Sequence, residues 1–476
     1  MSALPSAFQA GATPPVADAD LQATGLMPRL DGETYFAELA AGLPELLQAD
    51  EHFMCSYAAE QSDFVRFNHA RIRQAGHVDQ AYLSLRLIHG QADEQRQAAI
   101  SLTLSGDLVS DLSHCDRALA SLRATLPDLP PDPLSMIETE GFASRNVRVG
   151  RLPSGIEMAA MVTELGVGHD LVGFLATGPM QRGFASSYGH HNWHEVSNFN
   201  FEWSLYYETD KAAKSSYAGF EWDPEVLRAK IIRAANDVAV LRLPTRHIDP
   251  GAYRVYLSPM AMAELVSMMS WGGFSAKARA TRTNPLQKLY DQQVSLSPLV
   301  SIAEHTDGGL MPAVQSDGFR RPDRIDLIDQ GRGVGLLASP RTAREYGIAQ
   351  NGAENGEEDP SSLDMAAGSV ENDHVLRELG TGLCINNLWY LNFSDRMNCR
   401  MTGMTRFATF WVENGEAVAP TNVMRFDDSI YRMLGDHLTG LTATREFIPS
   451  SSTYHARMTS SKRLPGAFVN DFRLTL

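Results

Sequence analysis

The helix that opens at Asp223-Pro224-Glu225 does most to limit how this chain can fold. Asp, Pro and Glu in that order suit an N-cap and the first two helical positions. Leu227, Ile231, Ala234, Ala235, Val238 and Leu241 then recur on one stripe. The helix must stop before Pro244, and Pro250-Gly251 follows at once. A chain of 476 residues is too long for one ordinary core, so this break is read as the division between an N-terminal domain, 31–247, and a C-terminal domain, 248–476. Residues 1–30 read as a flexible lead-in, because no basic segment is followed by the apolar run of a secretory signal.

In the first domain, residues 32–48 carry Tyr35, Phe36, Leu39, Leu43 and Leu46 at helical spacing. Strand-like runs at 53–59, 64–68, 81–88 and 98–104 suggest an antiparallel meander. Helical spacing returns over 108–126 and ends in the proline cluster at 127–133. A helix at 156–165 and strands at 171–177, 183–187 and 196–208 repeat the layout. Beyond the break, 253–257 reads as a buried strand and 259–270 as a helix with Pro in its first turn. Residues 275–291, with Lys277, Arg279, Arg282 and Lys288 and few apolar anchors, suggest an exposed, mobile loop, and 350–360 a second, acidic one. Short strands at 383–393, 405–412 and 418–426 make this half β-rich. The fold class is therefore α+β: an N-terminal α/β domain with a meander and helices, and a mixed, β-rich C-terminal domain.

The net charge of −16 repels phosphate backbones and anionic lipid, which argues against nucleic acid as a partner. No window approaches the ~20 continuous apolar residues of a membrane-spanning helix. Cys55, Cys115, Cys384 and Cys399 are widely spaced with no CxxC pair, as expected of free thiols in a reducing cytoplasm.

Motifs of catalysis are sparse. A zinc peptidase helix needs two histidines about a turn apart with a Glu after the first. The only His-Glu pair is His194-Glu195, with Asn198 and Phe199 four and five residues beyond that histidine. In the cluster His190-His191-Asn192-Trp193-His194-Glu195, His190 and His194 could share one side of a strand, as a metal pair would. The plainer reading is an exposed hairpin segment lining a cleft. Gly331-Arg332-Gly333-Val334-Gly335 follows a strand but no helix follows it, so a hairpin turn is expected rather than a phosphate loop. No G-x-S-x-G elbow is present, and Cys399 beside Arg400 reads as structural.

Residues 380–395 (GTGLCINNLWYLNFSD) and 401–416 (MTGMTRFATFWVENGE) resemble the TldD/PmbA family, most closely its PmbA, or TldE-like, side. The likeness extends to 420–429 (PTNVMRFDDS), Ser316-Asp317-Gly318 and the N-terminal helix and meander with Val65-Arg66-Phe67-Asn68, so it covers nearly everything after residue 30.

TldD-like members of that family carry HExxxH on the helix after the first strand of the C-terminal domain, and a distant Cys, to hold a metal. Here the matching helix has Ala263 and Met268 at the two histidine positions, and residues 450–461 contain no Cys. No histidine lies between His247 and His305, so a shifted alignment does not restore the motif. Glu264 alone matches, a vestigial candidate for catalysis. The resemblance implies a heterodimer in which zinc sits in a TldD-like partner, this chain holds no metal or cofactor, and the complex cuts unfolded or small peptides. His190, His191, His194, Glu264, Thr402 and Arg406 are then candidates for the substrate cleft. Two rivals stand beside it: an autonomous metal-dependent hydrolase using His190, His194 and Glu195, and a peptide-binding module that works with no peptidase.

Overall fold

The computed structural model describes residues 31–476 except 91–93, 209–210 and 357, so the expected lead-in at 1–30 lies outside the described residues. The chain is α+β and builds two sheets. The first sheet runs in the order β3 (Arg96–Thr103), β2 (Arg71–His89), β1 (Glu51–Asn68), β5 (Asp170–Ser186), β6 (His191–Glu208) and β4 (Ala143–Arg148), with β7 (Lys211–Gly219) pairing the far half of β6. All its pairs are antiparallel except β4 with β6. The runs expected at 53–59 and 64–68 are one strand, as are those at 171–177 and 183–187. Glu60, Gln61 and Ser62 interrupt the apolar pattern, but the β1–β2 ladder runs on through them: Gln61 is exposed on one face, and on the other Glu60 accepts from Ser62 and Gln80.

Side chains alternate along a strand, and here the alternation sorts two environments. Odd-numbered residues of β1, β5 and β6 face helices. At one end α1 (Gly32–Gly42) and α2 (Leu108–Thr125) cover Phe53, Cys55, Tyr57 and Trp193. At the other, α3 (Gly155–Leu165) and α4 (Pro224–Leu241) cover Val65, Phe67, Phe199, Phe201 and Trp203. Even-numbered Ser62, His194 and Asn198 turn the opposite way and meet backbone and side chains from beyond residue 300.

Both helix starts behave as their residues dictate. Asp223 accepts from the Glu225 amide with Pro224 at the first helical position. Ser154 and Glu157 form a reciprocal capping box on α3. Replacing Ser154 by Ala should therefore cost about 1 kcal/mol, measured as a shift of the denaturant midpoint, whereas Ser154→Asp should cost almost nothing.

The second sheet contains β8 (Gly251–Leu257), β9 (Ile302–Glu304), β10 (Ile325–Asp329), β11 (Arg332–Gly333), β12 (Ser362–Met365), β13 (Gly382–Asp395), β14 (Arg400–Glu413), β15 (Glu416–Pro420), β16 (Arg425–Ser429), β17 (Leu438–Pro449) and β18 (Ser461–Leu474). The path β18, β16, β14, β13, β8 returns to β18 through a direct β8 to β18 pairing, which closes it into a ring. Beneath it lies α5 (Pro259–Gly273), whose Ala261, Met262, Leu265, Val266 and Met269 join the core of this half. Gly331 has φ 78° in the turn between β10 and β11, the hairpin expected there.

Residues 275–291 are not an exposed loop. They form α6 (Ala276–Ala280), α7 (Gln287–Tyr290) and a packed turn in which Asn284, Leu286, Leu289 and Tyr290 are buried. Asn284 donates to the carbonyls of Gly273 and Ser275 and accepts from the Leu286 amide, so polar pairing fixes a segment that lacks apolar period. The acidic stretch 350–360 is tied down in the same way. Its Glu358 is buried and accepts from Ser275 Oγ and the amides of Lys277 and Ser339. All four cysteines are free and buried, and burial pushes the Cys399 thiol up, away from reactivity. Among the described residues no helix is long and apolar enough to cross a membrane.

Candidate functional site

The start of α5 is held firmly. Ser258 caps it, accepting from the Ala261 amide at 3.2 Å while its hydroxyl donates to the Asn386 carbonyl at 2.6 Å. Ala263 is buried on the core side and Met268 packs partly against the same core. Glu264 leaves that face and is exposed. Solvent reaches it, yet the protein crowded around it raises its carboxyl above the usual range, a push opposed by Lys214 of β7 and Lys462 of β18 and reinforced by Glu202 of β6. Lys462 is lowered by the same crowding, with Glu264 working against the shift. Lys214 is 3.5 Å from Glu202. Two cations and two anions thus stand near one another, a balanced cluster with no activated nucleophile.

Beside it a cavity opens between α4, β7, β8 and the start of α5. Lys230, Arg233 and Asp237 enter from α4, Tyr256 from β8, Asn386 from β13 and Glu446 from β17. Lys230 donates to Glu446 at 3.0 Å, and Asn386 donates to Asp237 at 3.1 Å. Burial pushes Asp237 up to about 6 against the pull of Arg233. Sequence reasoning passed over this group. The signal available was the polar face of α4, where Lys230, Arg233 and Asp237 stand three and four residues apart outside the Leu227, Ile231 and Val238 stripe.

The histidines lie elsewhere, and the expected exposed cleft segment is buried. His190 is fully buried between the rings of Phe142 and Phe184, with Nδ1 2.7 Å from Ser186 Oγ. His194 is buried with Nε2 3.0 Å from the Leu310 carbonyl. Burial lowers both imidazoles, which keeps them neutral. The cause is β4 on one edge of the segment, β5 on the other, and Leu310 laid across the face. His191 alone is exposed. Glu195 accepts from Gln181 at 3.0 Å. Among the described residues, no three His, Cys, Asp or Glu side chains converge as a bound metal ion would require.

Thr402 and Arg406 sit on β14 and are not brought to Glu264 by any polar contact. Thr402 Oγ1 donates to the Phe426 carbonyl and accepts from Arg425, each at 2.9 Å. The Arg406 guanidinium lies 5.1 Å from the ring of Trp389 and 5.4 Å from that of Phe407.

Residues 250–475 match the family model described as PmbA/TldA metallopeptidase C-terminal domain. No curated protein matches the chain. Among solved structures, TldE from Thermococcus kodakarensis superposes with a TM-score of 0.71 at 14% identity, covering 93% of this chain and 100% of that one. A proposed modulator of a DNA gyrase from Thermotoga maritima gives 0.70 at 14%, with 93% and 100% covered. One from Bacteroides thetaiotaomicron gives 0.69 at 13%, with 93% and 98% covered. At such identities the likeness establishes the fold.

Proposed function

The chain belongs to the PmbA/TldD family through its C-terminal domain, and from that premise we propose that it is the metal-free, TldE-like subunit of a cytoplasmic two-subunit metallopeptidase acting on unfolded or small peptides. The observation that carries the reading is α5. The family's two histidine positions hold Ala263 and Met268, and Glu264 stands near Lys214 and Lys462 without the flanking histidines that would hold an ion. A methyl group has no lone pair, and a thioether is a soft ligand poorly matched to catalytic zinc. A carboxylate without a metal to generate hydroxide is a poor peptide hydrolase. The chain's part is then to supply cavity wall and substrate access to a TldD-like subunit that holds zinc. Trp271, Trp389 and Tyr390, on and beside β13, expose 57%, 48% and 77% of their surface, the kind of aromatic area a partner covers. The free, buried thiols suit a reducing compartment.

Two assays test it together. Elemental analysis of the lone chain should find no stoichiometric zinc, and an unstructured peptide should stay uncut until a TldD-like partner is added, after which chelators should abolish cleavage. One tightly held zinc per chain, or chelator-sensitive turnover without a partner, would return the site to this chain and make the His190, His194 and Glu195 group its first candidate.

A further inference from the structure

Among the described residues, two polar groups of the cavity beside α5 have no hydrogen-bond partner. Lys230 is committed to Glu446 and Lys214 to Glu202, while Asp237 is held by Asn386. Arg233 lines the same cavity and is accessible, yet among the described residues it has no carboxylate within ion-pair distance and no hydrogen bond. Tyr256 is buried at 3% exposure, and its hydroxyl likewise has no hydrogen-bond partner among the described residues. That hydroxyl has room only because residue 466 is glycine: a Cβ there would stand 2.4 Å from it. The ring is buried while its oxygen opens into the cavity, free to meet a ligand.

We infer that this cavity is a carboxylate-binding site, in which the Arg233 fork and the Tyr256 hydroxyl hold the two oxygens of a chain-terminal or free carboxylate. A planar guanidinium presents paired N–H groups at the spacing of a carboxylate, and a phenol donates the short hydrogen bond an anion accepts best. Charge selects the ligand further. Arg233 feels Asp237 and Glu446 across the cavity, so the walls carry little net positive charge, and a monoanion fits better than a phosphate dianion. Ala234, Pro259 and Met260 are the apolar part of a lining that also holds Ser215, Ser216 and Asn372, enough for a small side chain such as that of alanine.

The test is calorimetric titration of the lone chain with trialanine bearing a free C-terminus, its C-terminal amide, N-acetylalanine and inorganic phosphate. The free acid should bind, the amide should bind about tenfold or more weakly, and phosphate should be weakest. N-acetylalanine matching trialanine assigns the site to free carboxylic acids, and trialanine binding better assigns it to peptide termini. Arg233→Met should lower affinity about tenfold, and Arg233→Lys, which keeps charge without the fork, should recover only part. Tyr256→Phe should lose less than Arg233→Met. Equal binding of acid and amide, undiminished binding by both Arg233 variants, tighter binding of phosphate, or no saturable heat with trialanine would each overturn the assignment. Binding is read on the lone chain, so its failure would leave the peptidase-subunit reading untouched.

Discussion

Replacing Arg457 by Ala should lower the thermal midpoint by about 3 °C and open residues 450–460 to proteases. The side chain is buried at 5% exposure and plugs the first sheet from the far half of the chain. It donates to the Gly178 carbonyl at 3.0 Å and to Asn198 twice, at 3.2 Å to the carbonyl and 2.6 Å to Oδ1. Its own carbonyl accepts from Arg182 and its amide donates to Glu60. Burial pushes the guanidinium down to about 10, so it remains charged at neutral pH while its desolvation is incompletely offset by Glu60. Truncation removes the charge but strands several acceptors in a space water does not easily fill, a loss of about 3 kcal/mol. Arg457→Lys keeps the charge but cannot reach all these acceptors at once, and should restore less than half. An unchanged midpoint together with an unchanged digestion pattern would show that the plug carries no stability.

Asp317→Ala should destabilise by about 2–4 kcal/mol, seen as a lower denaturant midpoint. Asp317 is the centre of the Ser316-Asp317-Gly318 motif, and the fold makes this motif a staple between halves. Its Oδ1 accepts from Arg86 of β2 at 2.6 Å, Oδ2 accepts from Asn355, and its carbonyl accepts from the Glu138 amide at 2.9 Å. Arg86 also donates to the Ser316 carbonyl at 3.2 Å. With Asp317 only 5% exposed, the alanine variant leaves Arg86 as a half-buried cation without its anion. The double variant Arg86→Ala with Asp317→Ala should therefore cost less than the sum of the singles. Strict additivity would mean the pair is not coupled. Gly318 completes the staple at φ 90°, where a Cβ would come within 3.0 Å of the buried His190 ring.

What the residues announced in advance was local. Asp223-Pro224-Glu225 and the stripe behind it placed α4 within a residue, because capping and periodicity act on neighbours in sequence. The strand at 253–257 and the helix at 259–270 were legible for the same reason. What stayed hidden was fixed by partners distant in sequence. β4 is polar and short, and it is a strand because β6 pairs it in parallel. Residues 275–291 looked loose because Asn284 and Glu358 fix the first part, while the apolar anchors Leu286, Leu289 and Tyr290 crowd into the last six residues. In the candidate site Glu264 was named through the family resemblance, from its place on one helix, whereas Lys214, Lys462 and Arg233 come from three separate elements that only the tertiary fold assembles.

The ring of strands in the second sheet has a consequence for how the protein is made. β18 pairs with β8, β12, β16 and β17, so the strand that opens this half of the chain finds one of its two neighbours only more than 200 residues later. On a translating ribosome the first sheet can settle with α1 and α2, whose core lies within residues 35–193, while the ring is still an open ribbon with an unpaired edge along β8 and the core under α4 still lacks Phe410, Val412 and Phe468. The Arg457 socket on the first sheet stays vacant through the same interval, since its plug emerges just ahead of β18. Synthesis therefore passes through a long-lived, half-built species with exposed strand edge, and a chaperone that shields β8 until residues 461–474 arrive would raise the yield of native chain more than one acting on the first half.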